Sequence, residues 1–192
     1  MTGSLFEIEI KAQGWMGDYG PEPKTEVAAI DLCSHGAIRL TIGGEVITAG
    51  DEDAREYGIS ESALALLRTL EADHSPEQPV AERLLFHGCG TFLMMGCPIG
   101  VDWAVSHAAE VVRITDVVRY DTVDEFEAVR FYGLAVDVPE GEYRSQVVAF
   151  AQSAKQPFAG VTKNIADDYE QRMYDEFWQE YEARLARAER GS

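Results

Sequence analysis

Hydrophobic and polar residues alternate along the segment from Leu5 to Gln13. A period of two residues places the apolar side chains on one face of a strand and the polar side chains on the other. The apolar set is Phe6, Ile8, Ile10 and Ala12, and the polar set is Glu7, Glu9 and Lys11. The pattern therefore predicts a half-buried strand.

Further apolar runs, bounded by Gly, Pro and polar turn residues, predict more strands. The pair Gly43-Gly44 lies between two of them and is typical of a tight hairpin turn. The runs are Val27–Cys33, Ala37–Ile42, Glu45–Ala49, Leu84–Phe86, Thr91–Met95, Val101–Val105, Val111–Tyr120 and Val129–Val138. Together with the first segment they predict a mostly antiparallel sheet of about eight to nine strands.

In three segments the apolar residues recur with the period of a helix instead of that of a strand. The first begins at Ser60, which is placed as an N-cap, and should end near Asp73. The second is 142–156, and the third is a long amphipathic helix over 166–190. Apolar side chains recur every fourth residue in this last helix: Tyr169, Met173, Phe177, Tyr181 and Leu185. The sequence predicts one α+β domain over 1–192, whose C-terminal helix is covered by the domain, by a second copy in a homodimer or by a foreign partner.

The charge balance is strongly acidic. The chain has 34 Asp and Glu against 16 Lys and Arg, a formal net charge of −18. Such a surface repels phosphate backbones and anionic lipid, so it disfavours nucleic-acid and membrane partners. The acids either serve solubility alone or steer the protein towards a basic protein partner.

A first hypothesis for function follows from this charge. It is an acidic, non-enzymatic binding protein that docks on a basic partner, as inhibitor or immunity-type proteins do. The residues expected to bind the partner are two acidic clusters and two aromatic side chains of the last helix. They are Asp51, Glu52, Asp53, Asp124, Glu125, Glu127, Tyr174 and Trp178.

The N-terminus and the number of cysteines indicate the cellular compartment in which the protein is expected. The start of the chain has no basic segment before its first apolar stretch, which is unlike a secretory signal. No apolar run approaches the roughly 20 residues that span a bilayer. Three cysteines at irregular spacing argue against a disulfide framework. We therefore expect a cytoplasmic protein.

Five soft ligands in three turns support a second hypothesis, a metal site. They are Cys33, His35, His87, Cys89 and Cys97. Residues two apart on a strand point to the same side, so Cys33 with His35, and His87 with Cys89, could each chelate one ion. A zinc ion needs four such ligands, but the spacing is not that of a zinc ribbon. The sequence otherwise implies no cofactor.

The third hypothesis is a cysteine nucleophile at Cys89, which lies between two glycines. His87 or His107 would act as its base and Asp102 would orient that base. A surplus of carboxylates would oppose this by raising the thiol pKa. The chain has no Walker loop, no dinucleotide-binding glycine motif and no H-E-x-x-H motif. These absences favour a non-enzymatic protein, with the two cysteine-based sites as alternatives.

Overall fold

The computed structural model describes residues 3–15, 25–50, 57–76, 83–88, 92, 97–122 and 128–191. Within them the chain forms an α+β fold with nine strands and four α-helices. The strands are β1 (Phe6–Gly14), β2 (His35–Ile42), β3 (Glu45–Thr48), β4 (Tyr57–Gly58), β5 (Leu85–Phe86), β6 (Gly100–Ala108), β7 (Val111–Tyr120), β8 (Val129–Arg130) and β9 (Val136–Pro139). The helices are α1 (Thr25–Ile30), α2 (Ile59–Thr69), α3 (Glu140–Lys155) and α4 (Asp168–Arg190).

The first sheet is antiparallel and is centred on β2. Strand β1 pairs with one edge of β2, and the short strands β3 and β4 pair with different parts of the other edge. The turn between β2 and β3 contains Gly43 and Gly44 at φ 59° and 85°, which glycine adopts without steric cost. The hairpin predicted from this glycine pair is therefore confirmed.

The second sheet is built on the long hairpin of β6 and β7. Strand β5 pairs with β6, and β8 and β9 pair with different parts of β7. A single bridge between Tyr57, in β4, and His87, just after β5, connects the second sheet to the first. The two sheets therefore meet beside the first residues of β2, which is where the candidate site lies.

The core lies between the sheets and the helices. Phe6 of β1 packs against Trp103 of β6 and Tyr143 of α3, with ring centroids 6.1 and 4.8 Å apart. Helix α4 packs on α2 and α3 and buries Phe177, Tyr181, Leu185 and Ala188. The parent domain thus covers the stripe of α4 from Phe177 onwards, whereas Tyr169 at its start is 62% exposed.

The prediction of an α+β fold with a long C-terminal helix is confirmed. Three local predictions are wrong. Residues Val27 to Ile30 are helical instead of extended, and 129–138 is two short strands separated by a turn at Gly133, with φ 79°. Gly58 precedes the first turn of α2, and Ser60 lies within that turn instead of capping it.

None of the described helices combines the length and the apolar character that a bilayer crossing requires. The predicted strand over 91–95 lies outside the described residues, apart from Phe92.

Candidate metal centre

The candidate site begins where α1 ends. The carboxylate Oδ1 of Asp31 accepts a hydrogen bond from the backbone N–H of Cys33 at 3.2 Å. This contact over two residues is an Asx turn, which redirects the chain from the helix into β2. The same turn brings the Asp31 carboxylate next to the side chain of Cys33. Local sequence therefore creates the first half of the site.

Ser34 anchors the backbone of the site to its neighbours. Its backbone N–H donates to the Ser60 hydroxyl at 3.1 Å, and its carbonyl accepts from the backbone N–H of Ile59 at 2.7 Å. Its hydroxyl accepts from the side-chain amide of Gln13 at 2.8 Å. Strand β1 and the start of α2 thus hold both flanks of Ser34, so Cys33 and His35 have fixed positions.

Three donor side chains converge at this point. Sγ of Cys33 lies 3.3 Å from Nε2 of His35 and 3.6 Å from Oδ1 of Asp31, and Oδ2 of Asp31 lies 3.4 Å from the same Nε2. One donor atom from each lies within 4.8 Å of the others. In the described part of the chain this is the one group of three or more Cys, His, Asp or Glu at such distances.

Two glycines make room for the imidazole of His35. His35 pairs with Gly58 across β2 and β4, so its ring passes a backbone without a side chain. A Cβ added at Gly88 would lie only 2.3 Å from Nδ1 of His35. This Nδ1 is buried and has no hydrogen-bond partner among the described residues. Packing against Gly88 and the contacts of Nε2 therefore set the orientation of the ring.

Glu61 adds a second buried carboxylate. The residue is 5% exposed and lies in the first turn of α2. Its Oε2 accepts a hydrogen bond from the Ser60 hydroxyl at 2.8 Å, and its carboxylate also contacts the Cys33 thiol. Burial raises the pKa of Glu61, and the hydrogen bond from Ser60 opposes that change. The site therefore holds two acids with little access to water.

The electrostatics keep Cys33 protonated when no cation is bound. Burial raises the pKa of the Cys33 thiol, and the negative charges of Glu61 and Asp31 raise it further. A nucleophilic cysteine needs a thiolate near neutral pH, which these surroundings disfavour. A divalent cation has the opposite effect, since it replaces the thiol proton and is attracted by the carboxylates. The arrangement is thus suited to cation binding more than to nucleophilic catalysis.

Lys163 lies on the outer side of the cluster. Its ammonium donates to the backbone carbonyls of Ala28 and Asp31 at 2.8 and 2.6 Å. It also lies 3.5 Å from the ring centroid of Trp15, a cation–π contact. Burial lowers the pKa of Lys163 to about 8, against the pull of Asp31 and Cys33. Lys163 therefore fixes the end of α1 and places a positive charge near the cluster.

The structure brings together only part of the predicted metal set. Cys33 and His35 converge as their spacing indicates. His87 is in register with Tyr57, and His35 is in register with Gly58. Tyr57 and Gly58 are consecutive residues of β4, and consecutive side chains of a strand point to opposite faces, so the two imidazoles are directed to opposite faces. Cys97 is half-buried outside the three-residue group, and Cys89 lies outside the described residues.

The described residues of the nucleophile hypothesis, His87, His107 and Asp102, are not brought together. His87 and His107 are beside opposite ends of β6: the His87 N–H donates to the carbonyl of Ile99, just before the strand, and His107 is its penultimate residue. Asp102 is buried and its Oδ1 lies 2.7 Å from Nε2 of His74. His107 instead pairs with Asp73, its Nδ1 3.0 Å from Oδ1.

Six of the residues expected to bind a partner are outside the described part of the chain. Asp51, Glu52, Asp53, Asp124, Glu125 and Glu127 lie outside the described residues. Tyr174 and Trp178 are half-buried in an aromatic cluster with Phe92, Phe158 and Phe177. Their exposed area is therefore limited by contacts within the chain.

Sequence analysis missed two acids of the site. Asp31 continues the alternation of Cys33 and His35 by one step towards the N-terminus, so the pattern D-x-C-x-H could have revealed it. Glu61 has no such local signal. An acid in the first turn of a helix is ordinarily exposed, and Glu61 is buried because β4 and α2 bring it against Cys33.

Comparison with known proteins gives no match: no family model, no curated protein and no solved structure is similar enough to this chain to indicate a family.

Proposed function

We propose that this chain is a metal-binding protein that holds one zinc-like divalent ion with Asp31, Cys33 and His35. The observation that carries the proposal is the set of distances among Sγ, Nε2 and the two carboxylate oxygens, 3.3 to 3.6 Å. Zinc bonds of about 2.0 to 2.3 Å in a tetrahedron separate the ligand atoms by roughly 3.3 to 3.8 Å. The sulfur and the imidazole nitrogen have this spacing, and one Asp31 oxygen lies within 4.8 Å of both.

The chemistry of the donors selects the class of ion. Thiolate and imidazole favour zinc and similar transition metals, whereas magnesium and calcium prefer oxygen alone. The buried acids favour a divalent cation, because a bound cation would stabilise the ionised form of Glu61 that burial disfavours and would attract the carboxylate of Asp31. Retention of Cys33 as a free thiol ligand fits the reducing, cytoplasmic compartment expected from the cysteine count.

The test is metal titration of the purified chain after removal of bound metal with a chelator. We expect one equivalent of Zn²⁺ or Co²⁺ to bind, and Co²⁺ to show the charge-transfer absorption of a thiolate ligand. Cys33→Ser and His35→Gln should each weaken binding by roughly a hundredfold or more, since each removes a direct ligand.

Cys97→Ser is the matched control, because it removes a thiol that lies outside the group. It should leave the zinc affinity unchanged. Circular dichroism of each metal-free variant checks that the loss of affinity is not a loss of folding. The proposal fails if the wild-type chain binds no stoichiometric metal, or if Cys97→Ser weakens binding as much as Cys33→Ser does.

A second candidate function is the acidic docking protein, which rests on charge compensation at the surface. In the described part of the chain, eight Lys and Arg side chains are within ion-pair distance of carboxylates, so their charges are neutralised locally. They are Lys11, Arg68, Arg113, Arg119, Arg144, Lys155, Arg184 and Arg187. The formal net charge of −18 leaves an excess of negative charge, which supports attraction of a basic protein.

Two variants with equal charge change test this candidate. One neutralises Asp51, Glu52 and Asp53, and the other neutralises three scattered exposed acids, Glu7, Glu45 and Glu176. Binding to a panel of basic proteins is followed by size-exclusion chromatography at low and high salt. A docking site predicts a salt-sensitive complex that the first variant loses and the second retains. Equal loss in both, or no complex, contradicts it.

A further inference from the structure

The three side chains of the candidate metal centre have almost no contact with solvent. Cys33 is 2% exposed, and the side chains of Asp31 and His35 are 6% and 2% exposed. An ion therefore cannot reach Sγ of Cys33 unless part of the surrounding structure moves. Proteins open locally where few side chains are buried and few contacts join a segment to the core. The elements around the site differ strongly in this respect.

Three elements beside the site belong to the core of the domain. Strand β4 pairs with the start of β2, and helix α2 buries nine of its eleven residues. The backbone of Ser34 is hydrogen-bonded to Ile59 and to the Ser60 hydroxyl at the start of α2. On the other side, Gln13 of β1 donates to the Ser34 hydroxyl. Displacement of any of these elements would disrupt the first sheet or the core, so they are the rigid sides of the site.

The fourth element is α1, and it has little attachment to the core. The helix has six residues, and none of the side chains from Val27 to Ile30 is fully buried. A helix of this length has little stability of its own in water. Because α1 leads directly into Asp31, its displacement would move the Asp31 carboxylate away from Cys33 and open the site to solvent.

A strap, residues 161–167, attaches α1 to the rest of the chain. The strap contains no helix or strand and leads into α4. Three backbone carbonyls at the end of α1 accept hydrogen bonds from it, at 2.6 to 2.8 Å. The donors are the Lys163 ammonium, to Ala28 and Asp31, and the backbone N–H of Asn164, to Ala29. Two of the three bonds thus come from Lys163, and a charged donor forms a stronger bond than a neutral one.

Two aromatic rings hold the Lys163 ammonium in this position. It lies 3.5 Å from the ring centroid of Trp15 and 4.8 Å from that of Phe158. From these contacts we infer that α1 and the strap form a gate, held closed by Lys163, whose opening sets the rate at which the ion enters and leaves. The inference rests on the metal-binding function proposed above.

The gate is tested first in the metal-free chain, through access to the Cys33 thiol. The chain is treated with iodoacetamide, and peptide mass spectrometry follows the alkylation of Cys33 separately from that of the other two cysteines. Lys163→Met removes the ammonium and keeps an apolar side chain of similar length. Lys155→Met is the matched control, because the Lys155 ammonium pairs with Glu182 of α4 at 2.9 Å instead of with α1. Circular dichroism checks the folding of both variants.

We expect Cys33 to be alkylated at least roughly tenfold faster in Lys163→Met than in the wild type, since two charged hydrogen bonds no longer oppose opening. Lys155→Met should leave the rate unchanged. In the wild type the rate should be nearly independent of urea below the unfolding transition, because a local opening exposes little surface. Equal alkylation in Lys163→Met and the wild type, or alkylation that follows global unfolding, overturns the inference.

Metal-binding kinetics then relate the gate to the ion. Stopped-flow binding of Co²⁺, followed by its thiolate absorption, should reach a limiting rate as the Co²⁺ concentration rises, and this limit is the rate of gate opening. Lys163→Met should raise the limit at least roughly tenfold and the dissociation rate by a larger factor. If Lys163 only positioned Asp31, the dissociation rate alone would rise. An unchanged limiting rate overturns the gate while the metal-binding proposal stands. Absence of stoichiometric metal overturns that proposal and, with it, the entry of an ion through the gate.

Discussion

Substitution of Gly88 by alanine tests whether the His35 ring occupies the position on which the site depends. The added Cβ would lie 2.3 Å from Nδ1, 3.0 Å from Cε1 of His35 and 3.1 Å from the backbone nitrogen of Gly58. Non-bonded contact requires roughly 3.5 Å. The ring would therefore have to move by about 1.2 Å, or the backbone at the junction of the two sheets would have to open.

The expected cost follows from burial. His35 is 3% exposed, so the ring cannot rotate into solvent without loss of its contacts. Forcing an extra carbon into a packed interior costs about 1 to 3 kcal/mol. In a chain of this length each kcal/mol lowers the melting temperature by roughly 2 to 4 °C. A ring displaced this far also leaves the bonding distance of an ion held by Cys33, so zinc affinity should fall at least roughly tenfold.

The assay is chemical denaturation of the metal-free chain together with zinc titration. Gly14→Ala is the control, because Gly14 pairs with His35 from the β1 side and its added Cβ would meet no atom within 4 Å. It should change stability by no more than about 0.5 kcal/mol. If Gly88→Ala matches Gly14→Ala in both stability and zinc affinity, the described position of the His35 ring is wrong.

Three further substitutions test the fold and the surroundings of the site. Tyr143→Phe removes a buried hydroxyl 2.8 Å from the Thr69 hydroxyl. It should lower the free energy of unfolding, measured by urea denaturation, by about 1 kcal/mol, and an unchanged urea midpoint would contradict this. The Arg68 guanidinium lowers the pKa of Glu180 from 4.5 to about 2, so Glu180 stabilises the fold above about pH 4.5 and this contribution is lost as the pH falls through 2. After allowance for solvent screening, Glu180→Gln should lower the free energy of unfolding by about 1 kcal/mol at pH 7. The difference in this free energy between variant and wild type should shrink between pH 5 and pH 2, and a constant difference would refute the ion pair of Glu180 with Arg68. Lys163→Met should weaken zinc binding roughly tenfold, because it releases two carbonyls at the end of α1. An unchanged zinc affinity would show that Lys163 does not contribute to the site.

Local patterns were sufficient for the elements whose contacts are close in sequence. The alternation of β1 and the glycine pair before β3 are features within a few residues. The glycine pair appears as predicted, and the alternation holds from Phe6 to Ile10, while Ala12 is exposed beyond a register shift. Helix α1 was predicted as a strand because a short apolar run is compatible with either structure. Its end is fixed by Lys163 and by the backbone N–H of Asn164, which donates to the carbonyl of Ala29 at 2.7 Å. That contact joins residues far apart in sequence.

The candidate site also combines features that nearby residues predict with contacts between residues far apart in sequence. The convergence of Cys33 and His35 follows from their spacing, and Asp31 extends the same rule. Glu61 enters only because β4 places the start of α2 beside β2, a contact that no residue type near Glu61 signals. The partner of Asp102 is also set by residues far apart in sequence. A bridge between His74 and Val105 brings His74 to Asp102 from the segment after α2.

Zinc K-edge X-ray absorption of the loaded chain tests the central claim most directly, because it counts the ligands of the ion by element. A site formed by Asp31, Cys33 and His35 predicts one zinc per chain, with one sulfur at about 2.3 Å and otherwise only nitrogen or oxygen ligands, at about 2.0 to 2.2 Å. A shell with no sulfur, or with two or more, would contradict the account.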